Sequence, residues 1–426
     1  MNFPEEFLHF IWQFRLYHHH QLLTTTGEEL EVIRPGILNK NAGPDFINAK
    51  LLLGGTIWVG NVEIHLKGSD WLLHQHQFNT AYDSVILHVV YEDDIPIYRK
   101  DGTLLPVFLI KDLFPIGLLY NYEKLINSIN KFPCEKQIYQ VDKILVNNFL
   151  SRVLVERLIQ KATEVEEKLV EYKGDWDSVF YHYMAKNFGF KVNAIPMEIL
   201  AQSLPHQLFA KHKDNPLQIE ALVFGQAGFL NQKFTTEYPE QLKREYQFLK
   251  KKYRLKPIDI SLWKFMRMRP QNFPTLRLAQ FAALITNSNH LFSKVLSSQN
   301  PKELALLFEG LSVHLFWKTH YHFNKTADQV SLQLGKGAIQ NILINTVCLF
   351  LFVYGKMVDQ YQYVQKSLEL LENLPPESNS IIDQFLKAGV TVNNAFTSQA
   401  LLQLKKEYCN EKKCLNCGIG IKILNQ

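Results

Sequence analysis

The stretch Thr56-Ile-Trp-Val-Gly-Asn-Val-Glu-Ile-His-Leu-Lys67 decides the reading of the fold. Its second half alternates strictly. Trp58, Val62, Ile64 and Leu66 fall on one side of an extended chain, and Asn61, Glu63, His65 and Lys67 on the other. The pattern predicts a β-strand with one apolar face and a row of four polar side chains. Gly54-Gly55 immediately before it is a two-residue hairpin signal, so the run Phe46 to Leu53 is expected to pair with it. Gly43-Pro44-Asp45 opens that partner strand. A tight turn would bring Asp45 toward Glu63. Two neighbouring carboxylates repel, raise one pKa and favour a hard divalent cation such as magnesium or manganese. Asp45 and Glu63 are therefore the candidate ligands, with His65 or Lys67 as the group that positions or deprotonates water.

Further strands are expected at Leu30 to Arg34, Ser84 to Tyr91 and Leu104 to Ile110, with helices at Pro4 to Tyr17 and Asp70 to Phe78. In the first of these helices Phe7, Leu8, Ile11, Trp12 and Phe14 make an apolar face. After residue 120 the periodicity is helical throughout, from the long segment Val141 to Tyr172 to Ser398–Tyr408, with prolines as punctuation. The expected class is α+β: a mixed α/β domain over 1–130, a helical domain over 131–400, and a segment 401–426 that packs back on the first part. No repeat or low-complexity tract interrupts this.

Composition agrees with a folded chain. Among 426 residues, 29 Phe, 18 Tyr and 6 Trp exclude disorder. Five cysteines are too few, and odd in number, for a disulfide framework. The first residues carry Glu5 and Glu6 where a secretory leader would carry basic residues, and the most apolar run, Ile342 to Tyr354, is too short for a bilayer span. A cytoplasmic location without membrane contact is expected; nothing sets an oligomeric state. The net charge of +5 divides unevenly. Residues 1–130 hold 9 Lys and Arg against 15 Asp and Glu, a net of −6, and the remainder carries +11. A part suited to cations is joined to one suited to a polyanion.

The strand pattern resembles the PD-(D/E)XK nuclease motif, in which a Pro-Asp opens one strand and acid-x-Lys follows on the next. Pro44-Asp45 and Glu63-Ile64-His65 occupy those places. The departure is His65 at the lysine position, with Lys67 one strand repeat later. The resemblance implies a restriction-endonuclease-like domain and metal-dependent phosphodiester hydrolysis. His74 and His76 follow the strand, and His88 sits inside the apolar run Val85 to Val90. Such a histidine is either a hydrogen-bonded core residue or a member of the Glu63/His65 face.

At the C-terminus Cys409, Cys414 and Cys417 form C-x4-C-x2-C. Three close thiolates form a chelating hook for an iron–sulfur cluster or for zinc, and Cys134 is the best fourth ligand. Cys348, in an apolar helix, reads as a core residue.

The richest basic stretch is Trp263 to Arg277. Lys264, Arg267, Arg269 and Arg277 are candidate nucleic-acid contacts there, since arginine forks and a helix opened by Pro274 suit phosphate. Gly335-Lys336-Gly337 is too short for a phosphate loop.

Taken together, Gly43-Pro-Asp-Phe46, Gly60-Asn-Val-Glu-Ile-His65, Ser69-Asp-Trp71, Leu87-His-Val-Val90, Gly225-Gln-Ala-Gly228, Arg267-Met-Arg-Pro270 and the terminal cysteines resemble the bacterial family known as domain of unknown function 2851. That resemblance implies no activity. The sequence thus favours a metal-dependent nuclease or related phosphodiesterase. The alternative is a non-catalytic nucleic-acid-binding or scaffold protein with a degenerate nuclease-like core and a structural metal.

Overall fold

The computed structural model describes residues 3–425. The chain divides into two compact units. Unit 1 contains residues 1–149, 383–391 and 403–426; unit 2 contains 150–382 and 392–402.

Unit 1 is built on a mixed sheet with strand order β1-β3-β4-β5-β6, and a short β2 also pairs with β3. The strands are β1 (Leu30–Arg34), β2 (Ile37–Leu38), β3 (Phe46–Leu53), β4 (Thr56–Lys67), β5 (Val85–Glu92) and β6 (Val107–Leu109). β1, β3 and β4 form an antiparallel meander, whereas β5 and β6 run parallel to β4. The β3–β4 turn is Gly54-Gly55, with φ of 54° and 78° and the pair Leu53↔Thr56 flanking it. Both positions need the left-handed backbone of a type I′ turn, which glycine adopts freely. Gly60 has a different role. A Cβ there would lie 2.4 Å from the Ile86 side chain and 2.7 Å from the Ser84 carbonyl, so the start of β5 fits against β4 only over glycine.

β4 departs from its alternation on both faces. Val62 and Ile64 are fully buried, but Trp58, expected on the same apolar face, is 48 % exposed. β5 joins β4 only from Asn61 onward, so the outer half of β4 extends beyond the sheet with β3 alone beside it. The polar face departs too: Glu63 and His65 are buried rather than wet.

Helix α1 (Glu5–Gln13) buries Phe7, Leu8, Phe10, Ile11 and Trp12, each contributing roughly 2–3 kcal/mol by area burial. It stops short of Tyr17 because Arg15 takes a left-handed φ of 52°, which leaves Phe14 exposed. Helix α2 (Asp70–Leu73) and two 3₁₀ turns, His76–Phe78 and Thr80–Tyr82, make the crossover from β4 to β5. The single helix expected from Asp70 to Phe78 breaks at Gln75, which has φ of 59°. Helix α3 (Ile116–Ile126) follows the sheet.

Helix α4 (Lys143–Glu171) leads into unit 2, which is helical apart from a hairpin, His320–His322 with Lys325–Thr326. That hairpin departs from the all-helical expectation. The helix Pro301–Leu306 stops before Gly310, which adopts φ of 63°. The helix Trp176–Phe188 has no counterpart in the sequence reading. It is capped by Asp175, whose carboxylate accepts the Ser178 amide at 3.0 Å.

The apolar helix is longer than the sequence run suggested. It spans Lys336–Met357, 22 residues, enough by length and composition to cross a bilayer. It lies in the core of unit 2, with Ile342, Val347, Cys348, Phe350, Leu351 and Val353 buried. A π-helical stretch, Leu343–Cys348, widens it where Asn345 and Thr346 accept hydrogen bonds from Lys161 and Asn187.

Candidate metal centre

The Asp45–Glu63 contact follows from local backbone geometry. β3 bulges between Phe46 and Ala49, where Asn48 adopts φ of 55° and its amide donates to Asn61 Oδ1. Asparagine tolerates this conformation, and a bulge re-aims the side chains beside it. Phe46 then pairs with Val62, and Asp45 comes opposite Glu63. Each carboxylate accepts a backbone amide from the other strand. The Asp45 amide donates to Glu63 Oε2 at 3.0 Å, and the Ile64 amide donates to Asp45 Oδ2 at 3.0 Å. Each carboxylate is held by the other strand's backbone and keeps an oxygen for a ligand.

Histidines surround this pair. The parallel register sets His88 beside Glu63, which puts both on the same face of the sheet. His65 Nδ1 lies 2.8 Å from His88 Nε2, and His65 Nε2 lies 3.3 Å from His74 Nδ1 and 3.5 Å from Glu63 Oε1. His76 Nε2 approaches Glu63 Oε1 to 3.2 Å and its ring stacks on Tyr82. From α1, His9 Nε2 reaches Asp45 Oδ2 at 3.2 Å, and Glu5 lies one helical turn away from His9. Ligand atoms of His65, His74 and His76 lie within 4.8 Å of one another, as do those of Glu5, His9 and Asp45. Glu63 touches the first trio and, through the Asp45 amide, the second.

Burial favours the neutral forms of Glu5, Glu63, His65, His76 and His88. Burial, reinforced by Asp45, pushes Glu63 up to about 8 and Glu5 up to about 7. Burial and then His88 pull His65 down to about 2; burial and then His76 pull His88 down to about 3. Burial also lowers His76. Burial opposes protonation of His9, but contact with Asp45 outweighs it and leaves His9 above the ordinary value. His9 Nε2 and His76 Nε2 are buried close to carboxylates without a well-aligned hydrogen bond, and His88 Nδ1 is buried without a partner. Buried polar groups are normally satisfied. Neutral imidazoles beside carboxylates, with orphaned buried nitrogens, form a donor set that fits a divalent metal.

Asp45, Glu63 and His65 therefore meet. Lys67 does not join them: its exposed Nζ pairs with Glu92 at 3.5 Å, beyond the buried part of the strand. The sequence reading missed Glu5 and His9. Their i, i+4 spacing at the start of an amphipathic helix was the available signal.

The four cysteines outside the helical core also gather within unit 1. Cys134, Cys414 and Cys417 are buried and Cys409 is half-buried. Lys405 Nζ bonds the Lys131 carbonyl, which ties the π-helical turn Lys405–Cys409 to the loop before Cys134. Gly420 admits the close return of the chain, since a Cβ there would sit 2.3 Å from the Cys414 carbonyl. Burial raises all four thiols, Cys414 to about 12 and Cys417 to about 11, and ionising one disfavours ionising its neighbours. The Ile419 and Gly420 amides favour the thiolate at Cys417. Cys348 is apart, in unit 2, with Sγ 3.1 Å from Ser367 Oγ.

The basic candidates separate. Lys264, Arg267 and Arg269 are exposed. Asn193 clamps the Lys264 backbone through two 2.9 Å bonds, and Arg267 adopts φ of 59°. Arg277, in the helix Pro274–Asn287, is buried.

Fold and site together define a mixed α/β chain with a buried carboxylate–histidine centre and a helical second unit. The family described as "Protein of unknown function (DUF2851)" matches residues 5–380, and the chain belongs to it. No curated protein and no solved structure matches the chain.

Proposed function

We propose that the protein is a metal-dependent phosphodiesterase acting on nucleic acid. The observation that carries this is the meeting of half-buried Asp45 with buried Glu63, neighboured by His9, His65, His74, His76 and His88. The order helix, three antiparallel strands, crossover and parallel strand supports a nuclease-like core. A nitrogen-rich donor set favours manganese, iron or zinc over magnesium. A divalent ion held there would supply Lewis acidity toward a phosphoryl oxygen. Asp45 and Glu63, fixed by backbone amides, would hold that ion. His88 holds the His65 ring in place, as an outer partner does for a ligating imidazole. His9, paired with Asp45, is the group best placed to accept a proton from water, the role the sequence reading gave to His65 or Lys67. Exposed Lys264, Arg267 and Arg269 offer contacts to a phosphate backbone.

Incubating the full chain with single- and double-stranded DNA and RNA in the presence of Mn²⁺ tests this. Cleavage lost in Asp45→Asn and Glu63→Gln, with folding retained, supports the reading. Salt-sensitive binding without cleavage for any metal tried would favour the scaffold alternative.

We infer also that Cys134, Cys409, Cys414 and Cys417 hold an iron–sulfur cluster that fastens the C-terminal segment within unit 1. The C-x4-C-x2-C spacing with one distant cysteine supports a cluster. Iron and acid-labile sulfide in anaerobically purified protein are expected; zinc in their place, or neither metal, would contradict it.

A further inference from the structure

Unit 2 contains a polar pocket of about 470 Å³ lined by Arg269, Arg277, Gln280, Gln333, Gly335 and Gly337, among others. Arg277 is its unusual member. The residue is 6 % exposed. Its Nη1 donates to Gln280 Oε1 at 2.8 Å and its Nη2 to Asn272 Oδ1 at 2.6 Å. The guanidinium carbon lies 4.6 Å from the centre of the Phe190 ring. Nε, buried, has no partner.

A guanidinium carries five N–H donors and stays charged in proteins. Burying it is costly unless an opposite charge or a full set of acceptors compensates. Here both acceptors are neutral amides, and among the described residues no carboxylate pairs with it. A counter-charge is what this site lacks.

The surroundings suit an anion. Arg269, exposed, lines the same pocket. So does the start of the 22-residue helix Lys336–Met357, at Gly335 and Gly337, and no side chain caps that helix. Its first amides have no acceptor within the helix, and its dipole favours negative charge. A Cβ at either glycine would meet nothing within 4 Å, so the backbone there is open to a ligand.

We propose that this pocket binds a phosphate group, held between the Arg277 guanidinium, Arg269 and the amides at Lys336 and Gly337. The ligand chemistry is a phosphate oxyanion, carried as free phosphate, on a mononucleotide or in a nucleic-acid backbone. The site lies within unit 2 and does not depend on the metal centre.

Titration calorimetry and thermal shift of the full chain would use three probes: inorganic phosphate, a 5′-mononucleotide and a single-stranded oligonucleotide. Two variants accompany them. Arg277→Gln removes the buried charge. Gly337→Asp places a carboxylate at the pocket's helix start, where space is open and an acidic residue suits the dipole. Binding of at least one probe to the wild type, weakened by at least about tenfold in both variants, is expected. Should Arg277→Gln fail to fold, Gly337→Asp decides alone. The tightest probe identifies the source of the phosphate. Absence of binding by all three probes would overturn the proposal. So would binding that the folded variants leave unchanged, which marks an adventitious ion only.

Discussion

Both units bury polar side chains, but in opposite ways. Unit 1 gathers metal-ligand types into partly buried clusters: carboxylates with imidazoles at one place, four mutually interacting thiols at another. In unit 2, Glu220 and Arg277 are buried, and half-buried Lys161 joins them in bonding neutral partners. Arg277 rests on amides, Lys161 on Asn345, and Glu220 on the Tyr238 hydroxyl at 3.1 Å. A cluster of like donors is costly to bury without a cation to gather them. A single buried group can be stabilised by neutralising itself or by taking a ligand. Unit 1 is therefore read as the metal-holding part. Arg277 cannot neutralise itself, and it lines a polar pocket.

The sharpest way to break this comparison is at the carboxylates. Asp45→Asn or Glu63→Gln should lower metal-dependent cleavage by at least about hundredfold while circular dichroism stays unchanged. Equal activity in either variant would remove the centre from the account. Next comes the thiol cluster. Cys414→Ser should lose most of the iron and sulfide and unfold at a lower temperature than the wild type, because a bound metal adds its binding energy to the fold. Cys348→Ser, a core change in unit 2, should leave the iron content intact.

Glu220 gives a smaller effect with a pH signature. Burial raises its pKa to about 7. Below pH 4.5 the carboxyl is protonated in both folded and unfolded chains. Between about pH 4.5 and 7 the unfolded chain ionises first, so stability falls as pH rises. Glu220→Gln should therefore gain about 1–3 kcal/mol over wild type at pH 8 and nothing at pH 4, read as urea midpoints. A gain independent of pH would mean that ionisation is not its cause. The smallest effect is expected at Lys67→Ala. Cleavage should change by less than about threefold, since this exposed lysine pairs with Glu92 and a surface pair contributes little. A large loss would return Lys67 to the centre.

Much of the sheet was legible because its signals are local. β1, β3 and β4 follow from alternation, and Gly54-Gly55 sets the β3–β4 register from Leu53↔Thr56 to Ala49↔Gly60. Asp45 and Glu63 were named because a two-residue turn returns β4 alongside β3, but their exact pairing needs the bulge at Asn48, which nothing in the alternation announces. The burial of their face was not legible. It depends on the crossover carrying Trp71, His74, His76 and Tyr82 over the strand, which no period in β4 encodes. His88 could be named but not assigned, since a parallel register has no turn to fix it. Glu5 and His9 were hidden by the stronger apolar signal of the same helix. In unit 2, Gly335-Lys-Gly337 reads as an unremarkable fragment, and only tertiary packing brings it to Arg277. The helix Trp176–Phe188 escaped because Tyr181, His182 and Tyr183 blur its apolar stripe, although Asp175 supplied a cap signal.

The central claim is that the carboxylate–histidine cluster of unit 1 holds a metal. Manganese is the probe of choice, because thiolates do not favour it and the cysteine cluster stays silent. Mn²⁺ bound by the full chain should be measured by electron paramagnetic resonance in the wild type, in Glu63→Gln and in His65→Ala. At least one tightly bound ion is expected in the wild type, and its loss in both folded variants. No bound manganese in the wild type, or the same stoichiometry in all three proteins, would contradict it.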